Sequence, residues 1–238
     1  MIQNLNDLFG HKLAATDGEI GHLKDAYFDD ESWAVRYLIA ETGSWLSGFQ
    51  VLLSPHSFSH FEHDAKTLHV NLTRNKIEHS PKIESHRPVS RQYEEEYYGY
   101  YGWPAYWDGG AIWGQGAYPI ILPNSTQEME AHLQVHHKHD DPHLRSIKAV
   151  TNYDIEATDG AIGHVTGFHV DDHPWIIRDL LVTAGLWFMG KDVLIPTASV
   201  DRIDHEESRV HVNLSMADIR QTAENAIVQP HALAASEA

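Results

Sequence analysis

Cysteine is absent from the 238-residue chain. That excludes disulfides, thiolate nucleophiles and Cys-ligated zinc or iron–sulfur sites, and it fits a protein kept in a reducing cytoplasm. Basic charge is scarce. Seventeen Lys and Arg face 34 Asp and Glu, for a formal charge of −17, with no basic patch and no acidic tail. Such a surface repels phosphate backbones and anionic lipid, which argues against direct nucleic-acid or membrane-surface binding. No apolar run approaches the ~18–20 residues of a membrane span. The start, "MIQNLNDLFGHK", lacks the basic and apolar regions of a signal peptide. Nucleophile elbow, phosphate loop, HExxH and dinucleotide fingerprint are also missing. The expectation is a cytoplasmic, non-enzymatic protein without a cofactor.

What is present is a sentence written twice. "DDESWAVRYLIAETGSW" at 29–45 returns as "DDHPWIIRDLLVTAGLW" at 171–187. Residues 17–73 align without a gap on 159–215, with 21 of 57 positions identical. Matching a constant offset over that length implies duplication of one folding unit.

Each copy reads as all-β. An Asp17-Gly18 turn predicts a hairpin. Strands follow over Ile20–Phe28 and Ala34–Glu41, then a Gly-bounded loop, the apolar "FQVLLS", and short strands near His60–Glu62 and Leu68–Leu72. Six short strands with close turn signals predict a small closed barrel. Thr73 and Ser215 stand where helix N-caps belong. Four tryptophans recur in register, Trp33 with Trp175 and Trp45 with Trp187, as core plugs or interface anchors of a thin barrel. Arg36 and Arg178 lie within predicted strands, where a guanidinium needs a carboxylate. Asp29 or Asp30, and Asp171 or Asp172, are the candidates, with a ligand or partner contact as the alternative.

"ATDGEIGHLKDAYFDD…WAVRYLIAETGSWLSGFQVLLSP", with "TRNKIEHSPKI" after it and "DPHLRS" before the second copy, resembles the PRC-barrel family, and in particular its tandem members found in many bacteria. That family includes the cytoplasmic domain of the photosynthetic reaction-centre H subunit and the C-terminal domain of the ribosome-maturation protein RimM. The resemblance implies two duplicated PRC-type β-barrels, each followed by a short helix, over residues 1–80 and 143–225. An irregular linker would occupy 81–142 and a tail 226–238. The resemblance also implies a scaffold or adaptor role.

The linker is not an ordinary one. From Tyr93 to Tyr118 there are seven Tyr and three Trp, ten of the chain's 24 aromatics. Interleaved glycines argue against a regular helix. Tyr97, Tyr98, Tyr101, Trp103, Tyr106, Trp107 and Trp113 are the candidate interface residues, because Tyr and Trp suit protein contacts. They should be covered by a homodimer partner or by the second barrel; a groove for an external partner is the other reading. Further on, "HLQVHHKHDDPH" sets His132, His136 and His139 or Asp140 at helical spacing. That pattern admits a His-based metal sensor or enzyme using the His132–His143 cluster as the alternative function.

Overall fold

The structure is a computed structural model and describes residues 2–43, 46, 50–62, 64–81, 91–107, 143–171, 174–185 and 192–221. Its chain divides into two compact units. Strand β1 (Ile2–Asn4) is followed by a 3-10 turn and then by β2 (Lys12–Ala15), β3 (Gly18–Asp29), β4 (Val35–Thr42), β5 (Gln50–Leu53), β6 (Phe58–Glu62) and β7 (Thr67–Val70). Helices α1 (Arg74–Glu78) and α2 (Arg91–Tyr101) come next, then β8 (Leu144–Ser146) and the short helix α3 (Ile147–Val150). The second copy supplies β9 (Asp154–Ala157), β10 (Gly160–Asp171), β11 (Ile176–Ala184), β12 (Asp192–Pro196), β13 (Val200–Asp204) and β14 (Arg209–Val212).

The fold is mainly β, as expected, and the two copies repeat each other strand for strand. One sheet runs β5-β4-β3-β2-β7-β6, the other β12-β11-β10-β9-β14-β13. In both, one parallel pair (β2 with β7, β9 with β14) interrupts antiparallel neighbours. The expected closed barrel is corrected: among the described residues each sheet is an open path. The chain leaves β5 through Pro55 and a 3-10 turn, not a hairpin, so β6 turns away to pair with β7.

Local details repeat at the 142-residue offset as well. Lys66 and Ser208 both have positive φ, as do Gly10 and Asn152. A Cβ on Gly21 would lie 2.1 Å from the Glu41 carbonyl oxygen, and one on Gly163 2.1 Å from that of Thr183. Both positions let two neighbouring strands, β3 with β4 and β10 with β11, approach closely. The expected caps are present: Thr73 Oγ1 accepts from the Lys76 amide at 3.2 Å, and Ser215 Oγ from Asp218 at 3.2 Å. Asp17 and Asp159 add a second cap, accepting from the amides of Arg74 at 2.7 Å and Met216 at 2.8 Å.

The seventh strand of each sheet comes from the segment preceding the other copy. β1 pairs with β10, and β8 pairs with β3. The units are accordingly Leu8–Arg145, and Met1–Asp7 together with Ser146 onward. In the second of these, Asn4 Oδ1 accepts from the amides of Asn6 at 3.2 Å and Phe168 at 3.3 Å. Leu5 is fully buried. In the first, Arg145 Nε donates to Asp30 Oδ2 at 2.6 Å, and His143 meets Asp30 at 3.0 Å. No helix among the described residues is long and apolar enough to cross a membrane.

Candidate functional site

Strand β4 is unlike its counterpart. Seven of its eight residues are buried, whereas β11 alternates between buried and more exposed residues over most of its length. A strand buried on both faces needs cover on both, and the aromatic segment provides it. The segment is not wholly irregular, as the glycines had suggested: Arg91–Tyr101 is a helix. Tyr93, Tyr97 and Tyr101 fall at i, i+4 and i+8, on one face. Gly102 closes the helix at φ +72, with the amides of Gly102 and Trp103 both donating to Tyr98 O, at 2.9 and 3.1 Å. This is a Schellman-type ending, for which a residue without Cβ is suited.

Polar contacts fix where α2 lies. The Tyr97 hydroxyl donates to Leu52 O at 3.0 Å and accepts from the Ser54 amide at 2.9 Å, at the end of β5. Glu94 is 0 % exposed. Its Oε1 accepts from the hydroxyls of Tyr37 on β4 and Tyr106, each at 2.7 Å. The Arg36 guanidinium lies 3.8 Å from the Tyr106 ring centre. Around these, Tyr97 meets Tyr37 edge-on at 5.6 Å, and Trp103 stacks on Tyr101 at 4.4 Å. Burial pushes the Tyr37 and Tyr97 phenols well above their usual pKa, and those of Tyr98 and Tyr101 to about 12. His56, at the rim against Trp103 at 5.8 Å, is held below its usual value by burial and by the Arg36 charge.

The expected interface residues therefore divide. Tyr97, Tyr98, Tyr101 and Tyr106 are buried within the chain, in contacts with the first copy. Trp103 and Trp107 are half-buried, and Tyr100 is 38 % exposed. Rings that had been expected to need a second subunit or the second barrel are covered by the first sheet. Trp113 lies outside the described residues.

The repeat arginines also part company. Arg36 is 3 % exposed; its Nη2 donates to Ser32 Oγ at 3.0 Å and sits 3.6 Å from Asp29 Oδ2. Burial raises the Asp29 pKa, but hydrogen bonds from Ser32 and Glu31 and the Arg36 charge outweigh it, and the net shift is downward. Arg178 is exposed and reaches Asp171 at 3.4 Å. Trp33 and Trp175 do not open strands. They sit in the preceding turn at φ +59 and +65, each amide donating to the first Asp of the motif at 2.8 Å. Trp33 stacks on Phe28 at 5.5 Å. Trp45 and Trp187 lie outside the described residues.

The same holds for His132, His136, His139 and Asp140. His143 is described, between Asp30 and Glu31 at 3.0 and 3.4 Å. Among the described residues, Asp204, Glu207 and His211 bring one ligand atom each within 4.8 Å of one another. Arg202 Nη2 lies 3.3 Å from His211 Nε2, so a cation there would compete with a guanidinium. No family model matches the chain, and no curated protein matches it.

Proposed function

We propose that this chain is a non-enzymatic scaffold of the tandem PRC-barrel kind, which assembles proteins through the β11–β12 face of its second sheet. One observation carries the reading: the outer face of β4 and β5 takes a helix, α2, by backbone and side-chain hydrogen bonds, while the same face in the second copy leaves Leu194 36 % exposed. A duplicated surface with one copy occupied from within and the other open among the described residues is the form an adaptor needs. The motif residues Trp33, Arg36, Trp175 and Arg178 then serve the hairpin turns, not a chemical step. A metal sensor or enzyme built on His132–His143 has less support, because His143 is already engaged with Asp30.

The test compares the full chain with its Leu181→Glu/Leu194→Glu variant by quantitative cross-linking in the cells that produce it. Specific neighbours should be lost from the variant while its circular dichroism is unchanged. An identical set of neighbours for both chains would overturn the proposal. Metal analysis of the purified protein checks the alternative; a stoichiometric transition metal would favour it.

A further inference from the structure

Within one chain, α2 on the first copy is a template for what the second copy's open face would take. On that open face Asp179, Leu181 and Thr183 of β11 stand opposite Pro196, Leu194 and Asp192 of β12. Their counterparts at the 142-residue offset are Tyr37, Ile39 and Glu41, and Ser54, Leu52 and Gln50. The apolar centre is kept, Ile39 with Leu52 becoming Leu181 with Leu194. The polar ends are exchanged. Tyr37, which donates to Glu94, is replaced by Asp179, which accepts only. Ser54, whose amide donates to Tyr97, is replaced by Pro196, which has no amide hydrogen.

We propose that the β11–β12 face binds an amphipathic α-helix of another protein, laid across the strands as α2 is laid across β4 and β5, with an Arg or Lys against Asp179. This rests on the scaffold reading. A carboxylate covered by a docked helix needs a cation beside it. Asp179 is half-buried, and burial outweighs the charges of His169, opposite it on β10, and of Arg178 beside it, whose hydrogen bond goes to Asp171, so that its pKa is raised. Asp192 carries a second negative charge on the face, held by Thr183 Oγ1 at 2.6 Å. The chain's overall −17 attracts a basic partner. The other occupants fit worse. The α2 of a second copy would set Glu94 against Asp179 and offer the Tyr97 hydroxyl to Pro196. Of the chain's own residues, 222–238 contain no Lys or Arg and 108–142 contain one, Lys138.

The probe is a labelled peptide of residues 91–107 carrying Glu94→Arg and Tyr97→Phe, titrated against the full chain by fluorescence anisotropy. The unsubstituted peptide is the comparator. The substituted peptide should bind about tenfold tighter or more. Asp179→Lys in the chain should reverse that order, and Leu194→Glu should abolish both. Equal binding of the two peptides, no binding of either, or indifference to Asp179→Lys overturns the proposal. So does binding that requires removal of 222–238, which would make that segment the occupant, or a fall in light-scattering mass of the Leu194→Glu variant, which would make it a second copy. If the peptides fail while cross-links lost in the Leu181→Glu/Leu194→Glu variant persist in the natural chain, only this inference falls. If those cross-links are absent too, the scaffold reading falls with it.

Discussion

Replacing Tyr97 by Phe removes one oxygen from a ring that otherwise keeps its place. That oxygen is both donor to Leu52 O and acceptor for the Ser54 amide, at 3.0 and 2.9 Å. Ser54 is 0 % exposed, so water cannot replace the lost partner without opening the packing. A buried amide left without an acceptor costs about 1–3 kcal/mol. With a urea m-value of about 2 kcal/mol/M, the unfolding midpoint should fall by roughly 0.5–1.5 M. Near-ultraviolet circular dichroism is the suitable signal, since the ring cluster belongs to the unit being perturbed. Tyr100→Phe is the control. Its hydroxyl donates to Lys76 O at 2.8 Å, but the residue is exposed, and its loss should stay within about 0.5 kcal/mol. If Tyr97→Phe moves the midpoint no more than Tyr100→Phe does, α2 is not held to β5 in the way described.

Glu94→Ala should cost about 2–4 kcal/mol in the same assay, because two buried phenols lose their acceptor; Glu94→Gln keeps a carbonyl oxygen there and should cost clearly less. An alkaline titration read by phenolate absorbance should divide the tyrosines. The folded values for Tyr37, Tyr97, Tyr98 and Tyr101 are raised, so their contribution is whole below the unfolded value near pH 10 and is lost as pH rises through the folded ones. Ionisation of every tyrosine near pH 10 with the fold intact would contradict that. Trp103→Ala unstacks Tyr101 and should destabilise the first unit by about 1–3 kcal/mol with no change in light-scattering mass; a halved mass would restore the homodimer. In Gly167→Ala the new Cβ would stand 2.6 Å from Asn4 Oδ1, so hydrogen exchange at residues 4–6 should quicken; unchanged exchange would mean that Asn4 does not hold β1.

Duplication, strand positions and helix caps were all legible, because each has a local signal: identity at fixed offset, alternation, a hydroxyl before a helix. The turn was misplaced by one residue. Gly18 begins β3, and Asp17 before it is occupied in capping α1, a use that only the folded chain discloses. The Trp33 and Trp175 turns were hidden for a different reason. A bulky residue at positive φ is rare, so no propensity points to it, and tertiary packing such as the Phe28 stack holds it there. Strands of three residues have no readable period, so β1 and β8, and with them the exchange between copies, were out of reach. Helix α2 was concealed by Gly99 and the glycines that follow it, although the spacing of Tyr93, Tyr97 and Tyr101 carried the signal and Gly102 marked the end.

The site itself was half legible. Aromatic excess identified the segment, and the choice of the first copy followed from chemistry that identical motif positions do not carry. Alignment highlights Trp33 with Trp175 and Arg36 with Arg178, yet the positions that decide where α2 binds are among those that differ. Tyr37 against Asp179 exchanges a donor for a second acid opposite Glu94. Ser54 against Pro196 removes the amide that Tyr97 requires. Each difference is worth about 1–3 kcal/mol, and both favour the same copy, so together they place α2 on one sheet with a preference of well over tenfold. Arg36 follows from that choice. Covered by Tyr106, it is desolvated and needs Asp29 and Ser32, whereas Arg178, with no ring over it among the described residues, remains in solvent at the same place in the repeat. The residues that differ between the copies therefore separate what the β4–β5 and β11–β12 faces can hold, and the residues they share maintain the fold.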